Sequence, residues 1–261
     1  LSGVDKDLFT LTFDGLNASL TSSSKDYELP EDSDANNVYL VSVNFSDDLN
    51  STSQQVEVSI SNINDNNPVI SSSGSFTVPE NQQSVATLTA TDADNDDLTF
   101  SISGGDSSDL EITDSGLLTL KTNPNFEVKN NYSFTASVTD GLYSASTPIT
   151  VNISDVNEVP SFGAIAGEIS VNENINSALT TTTASDEDGD TLSYSLTGDD
   201  SLLLSIDSNG NVSFKASPDF EAPSDSNEDN IYSFAVVAND GSLSATSSNI
   251  LVSINNLNDN A

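Results

Sequence analysis

Five acidic features recur in the same order along this chain, and that order constrains the fold more than any single segment does. The most explicit is Asn64-Asp65-Asn66-Asn67-Pro68, which returns as Asn157-Glu158-Val159-Pro160 and again as Asn258-Asp259-Asn260. Each copy follows an alternating stretch: Val56 to Ile60, Ile149 to Ile153 and Ile250 to Ile254. Strict apolar–polar alternation reads as a half-buried strand. The copies are 93 and 101 residues apart. That spacing fits a sandwich of about 100 residues with seven short strands.

The other four features fill in the repeat. Val78-Pro79-Glu80-Asn81 matches Val171-Asn172-Glu173-Asn174, and Asp92-Ala93-Asp94-Asn95-Asp96 matches Asp186-Glu187-Asp188-Gly189-Asp190. Asn125-Phe126-Glu127 matches Asp219-Phe220-Glu221, and Asp140-Gly141 matches Asp240-Gly241. Residues before Pro68 contain only the later features, as Asp26-Tyr27-Glu28 and Asp47-Asp48. The expected organisation is therefore the C-terminal part of one repeat at 1–67, a complete repeat at 68–159 and another at 160–261. A partial sandwich closes less core than a whole one, so the first segment is expected to be the least stable. Asp114-Ser115-Gly116 and Asp207 to Asn211 read as hairpin turns.

Composition sets what the acids can do. The chain carries 41 acidic residues against 5 basic ones, all Lys, for a formal charge of −36. Such a surface repels nucleic acid and anionic membranes and attracts cations. Cys and His are both absent. Disulfides, thiolate sites, imidazole zinc ligands and a Ser-His-Asp triad are thereby excluded. No apolar run approaches the ~20 residues of a membrane span. Paired carboxylates can hydrolyse glycosides, but these acids sit at repeat ends among several like neighbours, and no enzyme is expected.

What remains is oxygen chemistry. A hard cation such as Ca²⁺ takes about 6–8 oxygen ligands from carboxylates, amides, backbone carbonyls and water. Strand ends and loops of a sandwich gather at its two poles, so repeated acids at strand ends converge. The loop starting at Asp186 resembles the start of an EF-hand, but that motif needs a Glu at its twelfth position. Here the twelfth residue is Thr197, and in the preceding repeat it is Ser103. The EF-hand reading fails.

The ordered set Pro79-Glu80-Asn81, Asp-x-Glu, Asp-x-Asn-Asp-Asn-x-Pro, Asp-x-Asp and a late Asp resembles the calcium signature of cadherin repeats, over the whole chain. The resemblance implies an all-β fold: tandem seven-stranded Greek-key β-sandwiches of the cadherin/Ig-like kind, in a linear array. It implies Ca²⁺ between successive repeats, two or three ions per complete junction. Carried over by position, the first junction would use Asp26, Glu28, Asn64, Asp65 and Asn66 with Asp92, Asp94 and Asp140. The second would use Glu80, Glu127, Asp155, Asn157 and Glu158 with Asp186, Asp188 and Asp240. A third set, Glu173, Asp219, Glu221, Asn258 and Asp259, lacks a following repeat in this sequence. Asn125 and Asn62 stand where the family pattern has Asp, and the second linker is one residue shorter.

The resemblance further implies an extracellular or cell-surface stalk whose partners are neighbouring repeats, with a cell-surface glycan or protein as a further candidate. Absent Cys and Arg, an Asp-Val-Asn-Glu-x-Pro style linker and high Ser and Asn content resemble bacterial cadherin-like arrays. A spacer role is favoured over adhesion, since an adhesive swap anchored by Trp is unavailable. The competing reading is a carbohydrate-binding module of a secreted polysaccharide-degrading system, for which Tyr132, Tyr194 and Tyr232 would have to be exposed platforms rather than core.

Overall fold

The computed structural model describes residues 1–47 and 49–258. Two compact units make up the chain. One comprises residues 1–124 and 129–153, the other residues 125–128 and 154–261. Regular structure is almost entirely strand, with only three short 3₁₀ turns among the described residues.

The first unit contains a complete two-layer sandwich. One layer has four strands in the order Ser75–Pro79, Ser144–Ser154, Asn131–Thr139, Thr99–Ser103. The facing layer runs Leu110–Ile112, Leu117–Leu120, Ser84–Thr87. Non-sequential neighbours within each layer give the Greek-key connection. The alternation of Asn131–Thr139 puts Tyr132, Phe134, Ala136 and Val138 inward, all buried. Their cross-strand partners include Val151 opposite Tyr132 and Ile149 opposite Phe134. Leu88, Leu110 and Leu118 fill the opposite side of the core. Residues before Pro68 add two hairpins, Phe9–Phe13 with Ala18–Ser22 and Val38–Ser46 with Ser51–Ser59. Only Tyr39, Val41 and Val43 of these hairpins are buried apolar residues.

The second unit repeats the plan. Glu168–Asn172, Ile250–Asn255, Ile231–Asn239 and Ser193–Thr197 form one layer, with Ser244–Thr246 also paired to Ile231–Asn239. Thr180–Thr181, Asn211–Phe214 and Leu204–Ile206 form the other. The core packs Leu204, Val212, Tyr232, Phe234, Val236, Ile250 and Val252. Phe214 meets Tyr232 edge-on at 4.8 Å between ring centroids. The expected hairpin at Asp207 is present: Gly210 (φ +79°) turns the chain, and a Cβ there would lie 2.2 Å from the Thr182 carbonyl oxygen. The fold is thus all-β, built of tandem Greek-key sandwiches.

One set of acids belongs to the fold itself. Asp5, Asp106 and Asp200 each precede a 3₁₀ turn but do not cap it. Instead the side chains reach across the sandwich. Asp5 accepts the amides of Ser33 at 2.8 Å and Leu40 at 2.7 Å. Asp200 accepts those of Ser226 at 2.7 Å and Ser233 at 2.8 Å. Asp106 accepts the Ser133 amide at 2.8 Å and, for its second oxygen, Lys129 at 2.6 Å. Asp5 and Asp200 thereby each tie a turn amide, Ser33 or Ser226, to a strand amide, Leu40 or Ser233, while Asp106 ties the strand amide of Ser133 to Lys129.

Asp200 is 2% exposed, so Asp200→Ala leaves two amides without an acceptor. The expected cost is roughly 2–4 kcal/mol, read by urea unfolding. It should be the same with and without divalent cation, because this carboxylate is already satisfied by the protein.

Candidate metal centre

The first cluster lies within the first unit and is built from three turns. Asp26 Oδ1 accepts the amides of Glu28 at 3.0 Å and Leu29 at 3.2 Å, which folds the Asp-x-Glu turn back on itself. Asp92 Oδ1 accepts the amides of Asp94 at 3.0 Å and Asp96 at 3.4 Å. Asn95, at the crest of that loop, has φ +61°, a left-handed conformation that Asn tolerates and β-branched residues do not. Asp140 Oδ1 accepts the amides of Leu142 and Tyr143, both at 2.7 Å. In the Asp92 and Asp140 turns one carboxylate oxygen holds the loop, while the other, Asp92 Oδ2 or Asp140 Oδ2, is buried without a hydrogen-bond partner.

The linker is fastened to this loop. Asp94 is 2% exposed. Its Oδ2 accepts the amides of Asp65 at 3.0 Å and Asn66 at 2.8 Å, and its Oδ1 accepts the Asn66 side-chain amide at 2.8 Å. Asn62 donates to the Asp94 carbonyl at 2.6 Å. Ligand oxygens of Glu28, Asp65 and Asp94 lie within 4.8 Å of one another, and so do those of Asp92, Asp94 and Asp96. Glu28 Oε1, Asn64 Oδ1 and Asp96 Oδ2 are also buried and unpartnered.

The electrostatics are uneven. Burial, and then the charges of Asp94 and Asp26, raise the Glu28 carboxyl above its ordinary value. Asp96 is raised by burial and by Asp92, Asp94 and Asp140. For Asp94, burial pushes upward, but the Asn66 and Asp65 donors outweigh it and the net shift is downward. Asp140 is likewise lowered, its burial outweighed by the amides of Tyr143 and Leu142. Hydrogen bonds thus hold part of the cluster ionised while the rest is left charged against its neighbours.

The second cluster repeats these turns in the second unit. Asn125 Oδ1 accepts the Val128 amide at 2.8 Å, the same turn that Asp26 makes. Its own amide donates to Glu187. Asp186 Oδ1 accepts the Asp190 amide at 3.2 Å, and Asp188 Oδ2 accepts the Glu158 amide at 2.9 Å. Asp240 Oδ1 accepts the amides of Ser242 and Leu243, both at 2.6 Å, and its Oδ2 takes the Asn157 amide at 3.0 Å. These donors, led by Leu243, lower the Asp240 carboxyl. Ligand oxygens of Glu127, Glu158 and Asp188 lie within 4.8 Å of one another. Asp186 Oδ2 and Asp188 Oδ1 are buried and unpartnered. Asp155 sits at the start of the linker, just past Ser144–Ser154, and is exposed. Glu80 lies in the first unit at the end of Ser75–Pro79 and is 3% exposed.

Glu173, Asp219 and Glu221 also converge within 4.8 Å. Here the protein satisfies the acids itself. Glu173 accepts the amides of Phe220 at 2.9 Å and Leu257 at 2.6 Å, and Glu221 accepts the Asn256 side chain at 2.6 Å. Asn258 is exposed. Asp259 of this set, and Asp48 beside Asp47, lie outside the described residues. Asp96 joins the first cluster although the aligned motifs did not single it out. Its sequence signal is the third acid of Asp92-Ala93-Asp94-Asn95-Asp96.

No lysine neutralises either cluster. Lys6, Lys25 and Lys129 pair with Asp7, Glu31 and Asp106/Asp109. Lys121 and Lys215 donate to the carbonyls of Ser108 and Leu202. That accounts for all five basic residues. Buried oxygens without donors, no nitrogen or sulfur ligand and no counter-ion from the protein fit a hard divalent cation.

Residues 74–154 match the family model of the Cadherin domain. The chain is 35% identical over 148 residues to the Fat-like cadherin-related tumor suppressor homolog of Drosophila melanogaster, covering 52% of this chain and 3% of that protein. It is 31% identical over 252 residues to Cadherin-17 of Mus musculus, covering 85% of this chain and 30% of that protein. The chain therefore spans less than a third of either relative. Among solved structures it superposes on Protocadherin gammaB7 EC3-6 with a TM-score of 0.59 at 21% identity, over 97% of this chain and 67% of that one. Human Protocadherin-24 EC1-2 gives 0.55 at 23% identity, over 72% and 96%. These structural likenesses bear on the fold.

Asn66→Asp tests the fastening of the linker. It replaces a donor to Asp94 with a third carboxylate oxygen pair. The melting temperature without divalent cation should fall by several degrees, and millimolar cation should recover part of that loss. An unchanged melting temperature in chelator would show that the Asn66–Asp94 contact carries no stability.

Proposed function

We propose that this chain is a segment of a cadherin-repeat array, with repeats at 1–67, 68–159 and 160–261, whose acidic clusters bind calcium and stiffen the joints between repeats. The observation that carries this reading is the set of buried, unpartnered oxygens of Glu28, Asn64, Asp92 and Asp140 in a cluster without a single lysine. The family match over residues 74–154 supports it.

In the first cluster Asp26, Glu28, Asn64, Asp65 and Asn66 would face the ion from the leading repeat, and Asp92, Asp94 and Asp140 from the trailing one. In the second, Glu80, Glu127, Asp155, Asn157 and Glu158 would do so with Asp186, Asp188 and Asp240. Two or three ions per complete junction match these donor sets. The bound ion supplies positive charge and several coordination positions to oxygens that lack donors. Without it, carboxylates a few ångströms apart repel by about 1 kcal/mol per pair in water, and more where water is excluded. The chain's part is to hold those oxygens convergent through the Asp92 and Asp140 turns and the Asp94–linker bonds. Extracellular modules of this chemistry bind with Kd of roughly 10⁻⁴–10⁻³ M.

Cadherin domains form a structural and adhesive family, not an enzymatic one. The likeness to cadherins supports an extracellular or cell-surface location as part of this reading. Among the described residues no helix is long and apolar enough to cross a membrane. The composition, without Cys, Trp or Arg, favours a bacterial type of array and a spacer role. The sugar-binding reading has less support: Tyr132 and Tyr232 are buried, and Tyr194 packs on the core with its hydroxyl accepting the Ala184 amide at 3.0 Å.

The test is thermal unfolding in millimolar calcium and in EGTA. The wild type should melt higher in calcium. Asp92→Asn and Asp186→Asn, which keep the Oδ1 that holds each loop, should each lower that value while leaving the EGTA value nearly unchanged. Equal melting temperatures in the two buffers would sink the reading. Small-angle scattering adds a shape readout, since chelation should change the maximum dimension.

A further inference from the structure

We infer that Asp96 is a further ligand of the first cluster, facing the same cation as Asp92 and Asp94, so that one loop of one repeat supplies three carboxylates to a single ion. The inference rests on the calcium reading above and adds a residue outside the aligned set. It follows from how the loop folds. Asp92 Oδ1 takes the amides of Asp94 and Asp96, and Asn95 turns the chain in a left-handed step. That places every second side chain on the inside of the bend. One ligand oxygen from each of Asp92, Asp94 and Asp96 comes within 4.8 Å of the others.

Asp96 Oδ2 is itself buried and receives no hydrogen bond. A carboxylate turned into solvent would leave that oxygen wet. Here it is withdrawn from water toward two other carboxylates, which repel it, and no protein donor compensates. Asp94 accepts linker donors on both oxygens and keeps further lone pairs toward the centre of the bend. Asp92 Oδ2 and Asp96 Oδ2 are the oxygens of this loop that receive no donor at all.

The second unit supplies an internal control. Asp190 has the same spacing and its amide makes the same bond to Asp186, at 3.2 Å. Yet Asp190 is exposed, whereas Asp96 is half-buried. The same motif thus leaves the third acid half-buried in one loop and exposed in the other. Ligand charge count tunes affinity in sites of this kind, so the first cluster should hold the tighter calcium.

The experiment is calorimetric titration of the whole chain with calcium chloride, for wild type, Asp96→Asn and Asp190→Asn. Asp96→Asn should weaken the tightest class of sites by about tenfold, while Asp190→Asn should change it less than about twofold. In EGTA, Asp96→Asn should melt no lower than wild type, since Asn keeps the shape and removes a repelling charge. A wild-type isotherm for Asp96→Asn, or equal weakening by the two variants, would overturn the assignment while leaving calcium binding intact. A wild type that takes up no calcium would overturn both.

Discussion

Everything distinctive about this chain depends on carboxylates held close together with too few donors to satisfy them. A folded protein normally buries an acid only when amides or a cation meet its oxygens. Asp5, Asp106 and Asp200 obey that rule through turn and strand amides and Lys129. The two clusters break it at defined atoms. In each cluster some oxygens are bonded by the protein and others are left buried with nothing. The same side chain often does both, one oxygen locking a turn and the other pointing away from any donor. A loop designed only to turn needs just the first oxygen.

That division of labour explains the departures from the family pattern. An Asp in the Asp-x-Glu turn serves its backbone through one oxygen, and Asn has that oxygen too. Asn125 Oδ1 therefore makes the turn that Asp26 makes in the first unit and Asp219 makes in the third acidic set. What Asn125 gives up is a charge, and it uses its amide on Glu187 instead. Asn62 follows the same logic at the first linker, where, like the Asn66 that the pattern already has, its amide is a donor to Asp94 and a carboxylate would be a repeller. The linker amides hold part of the cluster together with hydrogen bonds alone, so the number of charges an ion must neutralise is smaller than a count of acids suggests.

The fold was legible because alternation has a period of two and the core obeys it. Tyr132, Phe134, Ala136 and Val138 all fall inward as the pattern requires, and the hairpins at Gly116 and Gly210 sit where the turn residues place them. The turn-forming half of the site was legible for a similar reason, since repeated Asx residues before Gly or Asn mark left-handed steps at Asn95 and Gly189. Two things were not. The structural acids Asp5, Asp106 and Asp200 look like any other loop acid in a chain with 41 of them, and only a three-dimensional partner distinguishes them. The burial of Asp96 against the exposure of Asp190 is also invisible in one dimension, because the two loops share their spacing and their backbone bond.

The contrast between those two loops bears on how a repeat array can tune its sites without changing its motif. Ala93 and Asn95 in the first loop are replaced by Glu187 and Gly189 in the second. Glu187 adds a charge, and Asn125 takes it up outside the convergent oxygens. Gly189 removes the side chain at the crest and leaves the bend freer in φ and ψ. Yet both crests make the same left-handed step, Asn95 at φ +61° and Gly189 at φ +78°, and the same bond ties the fifth residue's amide to the first carboxylate. The backbone therefore does not separate the two loops. What separates them is the setting of the fifth side chain: Asp96 is half-buried beside Asp92 and Asp94, and Asp190 is exposed.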